Sequence, residues 1–360
     1  MKRFLLKTIL FFSPLLISLF VELFILPIDF FTFRIWEAVI VKEFRSMLPG
    51  RFYPFMDITK VEIGGDIGPR SPFSVKKKMR WVTDRYGFRK KDLGEVKPQV
   101  VIVGDSSIAG TRLTQEEMLS EVLESQLSVP VYPYAPVGFN TFLKDSRFTR
   151  DPIRVVIVAA VERSIVTLPP PRGTEEKRSF LSTLREKVRM AREIQSATVL
   201  LDRLFKMNML NWFRARIGNQ KERDVFQFPT RFGPMFFLQG DAANKEVSHD
   251  QFERAVGSIE AYNRVLNEKG IFFLFLPIPN KENIYHEYLP DPRRPLFLES
   301  LIQELKRKGV PTVDTQDAFE ESYRKDGTLL YHLDDTHWNP VAVKITADLI
   351  RKIMETPFSP

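Results

Sequence analysis

Val100-Val101-Ile102-Val103-Gly104-Asp105-Ser106-Ser107 decides the fold. Four apolar, mostly β-branched residues followed by glycine read as a short strand buried on both faces, the kind that parallel sheets use. Gly104 permits a tight turn. Ser106 then sits just past the carboxyl end of the strand, where open parallel sheets bind their ligands. Its hydroxyl lies at a strand-to-helix turn, and the backbone N–H groups of such a turn can stabilise an oxyanion. Alone, Gly-Asp-Ser-Ser is a common turn sequence.

Similar apolar runs follow at Val129 to Tyr134, Arg154 to Val161, Ile271 to Leu276 and Pro311 to Val313. Thr114-Gln115-Glu116-Glu117 reads as a capping box opening a helix to about Leu127. A final helix is expected from about Pro340 to Met354. Strands alternating with helices imply a parallel sheet in a three-layer α/β/α domain, here spanning residues 96–360. Residues 165–255 interrupt the rhythm with Pro169-Pro170-Pro171, a basic helix-prone stretch around Ser179 to Arg216, and a Gly/Phe/Pro-rich piece from Phe226 to Gly240. They read as an insertion over the sheet, a lid or a docking surface.

At the amino end, Lys2, Arg3 and Lys7 precede an apolar run over residues 8–28 whose single charge is Glu22. As a helix it spans roughly 31 Å, close to the hydrocarbon thickness of a bilayer. The flanking positives predict a cytoplasmic tail of residues 1–7, a signal-anchor over 8–28, and the remainder on the extracytoplasmic, periplasmic side. The rival reading, a cleaved signal peptide, needs small residues at its end; this run ends in Phe24, Ile25, Leu26, Pro27 and Phe30-Phe31. Residues 29–95 read as a juxtamembrane connecting region containing Gly64-Gly65, Pro69, Pro72 and Lys76-Lys77-Lys78. Within it, Trp81 to Arg89 is expected to pack against the main domain.

The 360 residues are 44% hydrophobic and 27% charged, a globular composition. There is no cysteine, which excludes disulfides, thiolate metal sites and a cysteine nucleophile. The net charge of +8 comes with no zinc-finger spacing and no RNA-binding aromatic signature, so a membrane-proximal surface fits better than nucleic acid. No ligand set has metal-binding spacing, and no cofactor is implied. Any histidine chemistry must use His249, His286, His332 or His337.

His337 stands in Tyr331-His332-Leu333-Asp334-Asp335-Thr336-His337-Trp338-Asn339-Pro340. A serine hydroxyl is a poor nucleophile until an imidazole takes its proton, and a carboxylate must hold that imidazole in the right tautomer. Asp two or three residues before His, in a loop leading into a helix, supplies both groups from one segment. An Asp-rich loop that merely caps the last helix is the competing reading.

Together the two segments resemble the SGNH/GDSL hydrolases, in which a Gly-Asp-Ser block follows the first strand and an Asp/His pair lies near the carboxyl end. Ser106 and His337 match by motif and order. Asp335-Thr336-His337-Trp338 is similar to the branch of alginate O-acetyltransferases; that form selects Asp335, with Asp334 as the alternative given by the commoner family spacing. Tyr86-Gly87-Phe88-Arg89, Val161-Glu162-Arg163-Ser164 and Leu276-Pro277-Ile278-Pro279-Asn280-Lys281 with Tyr285 also resemble that branch. The usual Gly-x-Asn-Asp block is absent. The resemblance implies Gly138 as the oxyanion glycine and Asn140 as a substitute for the missing Asn, with Glu162 and Arg163 as an ion pair shaping the site.

The implied function is a membrane-anchored serine esterase or O-acyltransferase acting on O-acetyl groups of a cell-envelope glycan, without a cofactor. The resemblance also implies a membrane-bound O-acyltransferase as partner. Two other readings stand beside it: a non-catalytic glycan-binding or scaffold subunit, and a lipid esterase.

Overall fold

The computed structural model describes residues 2–68, 72–94, 96–149, 153–172, 180–217, 225–238 and 246–355. Pro69 and parts of the expected insertion (173–179, 218–224 and 239–245) lie outside these residues.

Two strands, β1 (Asp57–Ile63) and β2 (Lys76–Val82), form an antiparallel hairpin apart from the main sheet. The main sheet contains β3 (Val100–Val103), β4 (Val131–Tyr134), β5 (Val155–Val161) and β8 (Phe272–Ile278) in the order β4-β3-β5-β8, all parallel. β3, β4 and β5 are buried along their whole length, as continuous apolar runs in a doubly covered sheet should be. Alternate residues feed two cores. Val100, Ile102, Val155 and Ile157 pack with Leu119, Leu123, Val343 and Ile350 on one face. Val101, Val103, Val156 and Val158 pack with Ile259, Tyr262, Leu301 and Leu305 on the other. The helices responsible are Leu119–Leu127 and Pro340–Met354 on the first face, and His249–Asn267 and Phe297–Arg307 on the second. The fold is α/β in three layers, with a parallel four-stranded sheet between helices.

One sequence expectation needs adjusting, and two segments take definite form. Pro311 to Val313 does not form a strand; it reaches β8 only through a parallel bridge between Phe275 and Thr312, and Pro311, lacking an N–H, can only accept there, from Phe275 N at 2.9 Å. The Phe226 to Gly240 piece contains an antiparallel hairpin, β6 (Val225–Thr230) and β7 (Gly233–Leu238), turning at Gly233 with φ of +103°. The connecting region is built into the core: Trp81 packs edge-on against Trp36 and Phe52, with the Arg89 guanidinium 3.8 Å over its ring. Gly87, at φ +75°, is required here, because a Cβ would lie 2.2 Å from Phe52 O.

Among the described residues, one helix is long and apolar enough to cross a membrane. The span Lys7–Ile25 covers 19 residues, almost all of it outside the protein core.

Candidate active site

β3 is followed by Gly104, where a Cβ would come within 2.5 Å of the Ile108 side chain; the glycine lets the chain turn back on itself. Asp105 fixes that turn. Its carboxylate accepts from Ser107 N at 2.8 Å and from Val161 N at 3.2 Å, tying the nucleophile loop to the end of β5. Ser106 is left half-buried, with its Oγ 2.8 Å from His337 Nε2. The Ser106 and Gly138 N–H groups make no hydrogen bond among the described residues.

His337 reaches the serine from the loop before the final helix, which Asn339 caps by accepting from Val341 N and Ala342 N. Asp335 Oδ1 lies 2.5 Å from His337 Nδ1 and also accepts His337 N at 2.9 Å. With Nδ1–H donated to Asp335, Nε2 carries the lone pair that faces Ser106. Burial opposes charge on His337, but the Asp335 carboxylate outweighs it and raises the imidazole above its ordinary value. Asp335 is fully buried. Burial alone would raise it; the facing His337, with help from Arg34, holds it well below the carboxylate range instead. Asp334 does other work. Its Oδ2 accepts from Gly65 N at 3.1 Å and Val75 N at 2.8 Å, and Arg112 Nη2 lies 3.6 Å from Oδ1. Between the two carboxylates left open by spacing, only Asp335 meets the histidine.

Much of the support comes from the connecting region. Asp66 N donates to Asp335 Oδ2 at 2.8 Å, and the Asp66 carboxylate accepts from Thr336 N at 2.8 Å and Thr336 Oγ1 at 2.6 Å. The contact is so close that a Cβ on Gly65 would sit 2.2 Å from Asp334 O. Arg34 Nη1 stands 3.9 Å from Asp335 Oδ2. From the other side Lys281, wholly buried, donates to the carbonyls of His332, Leu333 and Asp335 at 2.6, 3.0 and 3.2 Å. Burial lowers its ammonium to about 8. Phe236 N of β7 donates to Leu333 O at 2.8 Å, so the hairpin buttresses the same loop. Gly64-Gly65 was the one sequence signal for the Asp66 contact; nothing in the sequence ties Arg34 to the site.

Other expected site residues fall elsewhere. Asn140 turns its side chain to the proline segment, donating to Pro170 O at 3.0 Å and accepting from Arg172 N at 2.8 Å. Glu162 is buried but accepts from Asn280 N and Asn283 Nδ2 at 3.1 and 2.5 Å, whereas Arg163 is exposed and donates to Asn280 Oδ1 at 3.3 Å. Instead of pairing, the two hold the Asn280–Asn283 turn beside Lys281. His332 is pushed down to about 3 by burial and stays neutral. His249 is exposed, and His286 Nδ1 meets Pro292 O at 2.7 Å.

Asp66, Asp335 and His337 offer ligand atoms within 4.8 Å of one another. Each carboxylate there already accepts hydrogen bonds from the loop, and the free nitrogen of His337 faces Ser106; these donors serve a serine–histidine pair. A cavity of about 570 Å³ opens beside the nucleophile turn, lined by Gly104, Asp105 and Gly138 and, further out, Arg45 and Arg51. Its size suits a small ligand.

Residues 234–358 match the family model described as the SGNH hydrolase-like domain of the acetyltransferase AlgX, and over that stretch the chain is similar to that family. The match includes Lys281, Asp335 and His337; Ser106 lies outside it. That family is one of acetyltransferase and esterase-like proteins. No curated protein matches the chain. A solved crystal structure aligns over 72% of this chain and 97% of its own length at 11% identity, with a TM-score of 0.34, too low to carry an argument.

Proposed function

We propose that the protein is a membrane-anchored serine esterase or O-acyltransferase that works on O-acetyl groups of a cell-envelope glycan. The observation that carries this is the contact of Ser106 Oγ with His337 Nε2 at 2.8 Å, with Nδ1 held by Asp335 at 2.5 Å. Ser106 Oγ attacks the ester carbonyl while its proton passes to Nε2. The tetrahedral oxyanion takes hydrogen bonds from the Ser106 and Gly138 N–H groups. As the intermediate collapses, the departing alkoxide receives the proton from His337, leaving the acyl group on Ser106. Water or a sugar hydroxyl then gives its proton to His337 and attacks the acyl carbonyl; as the bond to Ser106 Oγ breaks, His337 returns that proton to the serine oxygen. Asp335 stays ionised throughout and stabilises the imidazolium.

The span Lys7–Ile25 supports an extracytoplasmic position for the site, given the basic residues before it. A membrane-bound O-acyltransferase that exports the acyl group is the partner such a position calls for. The test is labelling of the full chain with a fluorophosphonate. Wild type should label and Ser106→Ala should not. A folded wild type that stays unlabelled points to a glycan-binding or scaffold subunit, a reading favoured by the commitment of Asn140 to Pro170 and Arg172. Acetyl-sugar and acyl-lipid esters assayed side by side separate the glycan from a lipid substrate.

A further inference from the structure

The Arg192–Lys206 helix is inside out. Its buried residues are Gln195, Thr198, Asp202 and Lys206. Ile194, Leu200, Leu201 and Phe205 face outward, with Phe205 58% exposed. Hydrogen bonds hold the polar face in: Gln195 Nε2 donates to Arg85 O at 3.1 Å, and Lys206 Nζ to Ala38 O at 3.0 Å. Asp202 accepts from Glu43 N at 2.7 Å, Phe44 N at 3.1 Å and Tyr53 Oη at 2.6 Å. The outward stripe continues onto the neighbouring helices Phe180–Met190 and Asn208–Ile217, through Leu184 and Val188 on one side and Leu210 and Phe213 on the other. An exposed apolar surface spread over three helices marks a contact face.

Two observations say what covers it. The last turn of the apolar span is tied to these helices beside the stripe: Arg203 Nη2 donates to Glu22 O at 2.8 Å and Met209 N to Glu22 Oε2 at 3.3 Å, and just after the span Phe31 packs on Trp212. The exposed charges among the stripe are mainly basic, Lys187, Arg192, Arg214 and Arg216, against Glu186 and Glu193. An apolar stripe with basic flanks is the pattern of a helix lying in the headgroup layer of an anionic bilayer.

We propose that this stripe lies on the membrane surface, in contact with anionic phospholipid, so that the domain is held at two places and the Ser106 site keeps a fixed orientation to the bilayer. The inference rests on the reading of Lys7–Ile25 as a membrane span. Because the chain has no cysteine, single cysteines can be placed at will. Leu201→Cys and Phe205→Cys, with Leu16→Cys in the span and Val341→Cys on the final helix as references, are labelled with an environment-sensitive fluorophore. The full chain is then reconstituted in phosphatidylethanolamine–phosphatidylglycerol bilayers containing brominated lipid. Labels at 201 and 205 are expected to be quenched about two- to fivefold, as for a face a few ångströms into the headgroup layer, with position 341 unaffected. Quenching at 16 alone overturns the proposal and leaves the span standing. Quenching at 201 and 205 without 16 upholds the stripe and removes the span; quenching at none removes both. Shielding of 201 and 205 from aqueous iodide without lipid quenching assigns the face to a second copy and also overturns the proposal.

Discussion

Asp202 and Asp335 share three local features: neither is exposed to solvent, both accept several N–H groups, and both are held below the usual carboxylate range, Asp335 the further. For each, burial opposes the charge and hydrogen-bonded or charged partners overcome it. They differ in what the partners can do. Asp202 holds the backbone of residues 42–44, the Tyr53 hydroxyl and, 3.7 Å away, the Lys206 ammonium, none of which touches a nucleophile. Asp335 holds an imidazole whose other nitrogen faces a serine. A buried, low-pKa carboxylate is therefore not a site by itself; the third member of the chain makes it one.

The largest effect that can break this contrast is Ser106→Ala. It should lower ester cleavage by about 10^4-fold or more, with the melting temperature unchanged. Activity surviving within tenfold of wild type would remove Asp335 from the comparison. Asp335→Asn should cost about 10^3- to 10^4-fold in kcat, because the amide no longer fixes the productive tautomer. Asp202→Asn should do the opposite: a loss of about 2–4 kcal/mol in chemical denaturation, with kcat of the folded protein intact. Equal kinetic damage from both asparagines would erase the distinction.

Two smaller predictions sharpen it. His337 is raised above its ordinary value of 6.5, so kcat/KM should fall as pH drops through a point above 6.5. In Asp335→Asn that limb should move to lower pH. The same shift makes protonated His337 favour the folded state, a contribution present below 6.5 and lost as pH rises through the raised value. Asn140→Ala should change hydrolysis rates by less than about threefold, since its side chain serves the 170–172 segment; initial rates on a chromogenic acetyl ester would measure it.

Legibility in the sequence followed range. Residue type and order single out the serine and the histidine that the structure sets in contact, because each lies in a short segment with its own local logic. The four buried strands were legible for the same reason. Asp66 was not: its contact with Thr336 crosses 270 residues, and it sits in a stretch that reads as a linker. The Arg192–Lys206 helix shows another limit. Its amphipathic pattern is plain, as is that of Phe297–Arg307, which buries Leu298, Leu301, Ile302 and Leu305. The pattern gives two faces; which one turns inward depended on the backbone N–H groups of residues 42–44 waiting for Asp202. Asn140 stood in for the Asn of an absent sequence block, and a substitute chosen without a motif of its own has no local logic to hold it to the site; its side chain serves Pro170 and Arg172.

The distance along the chain between Ser106 and His337 has a consequence for the cell. The two meet across 231 residues. At ordinary rates of synthesis, His337 is added roughly 10 to 50 s after Ser106. Through that interval the serine has no base. A nascent chain that lacks His337 therefore carries an inert hydroxyl, and reactivity at Ser106 waits for the segment around His337 to be made and folded.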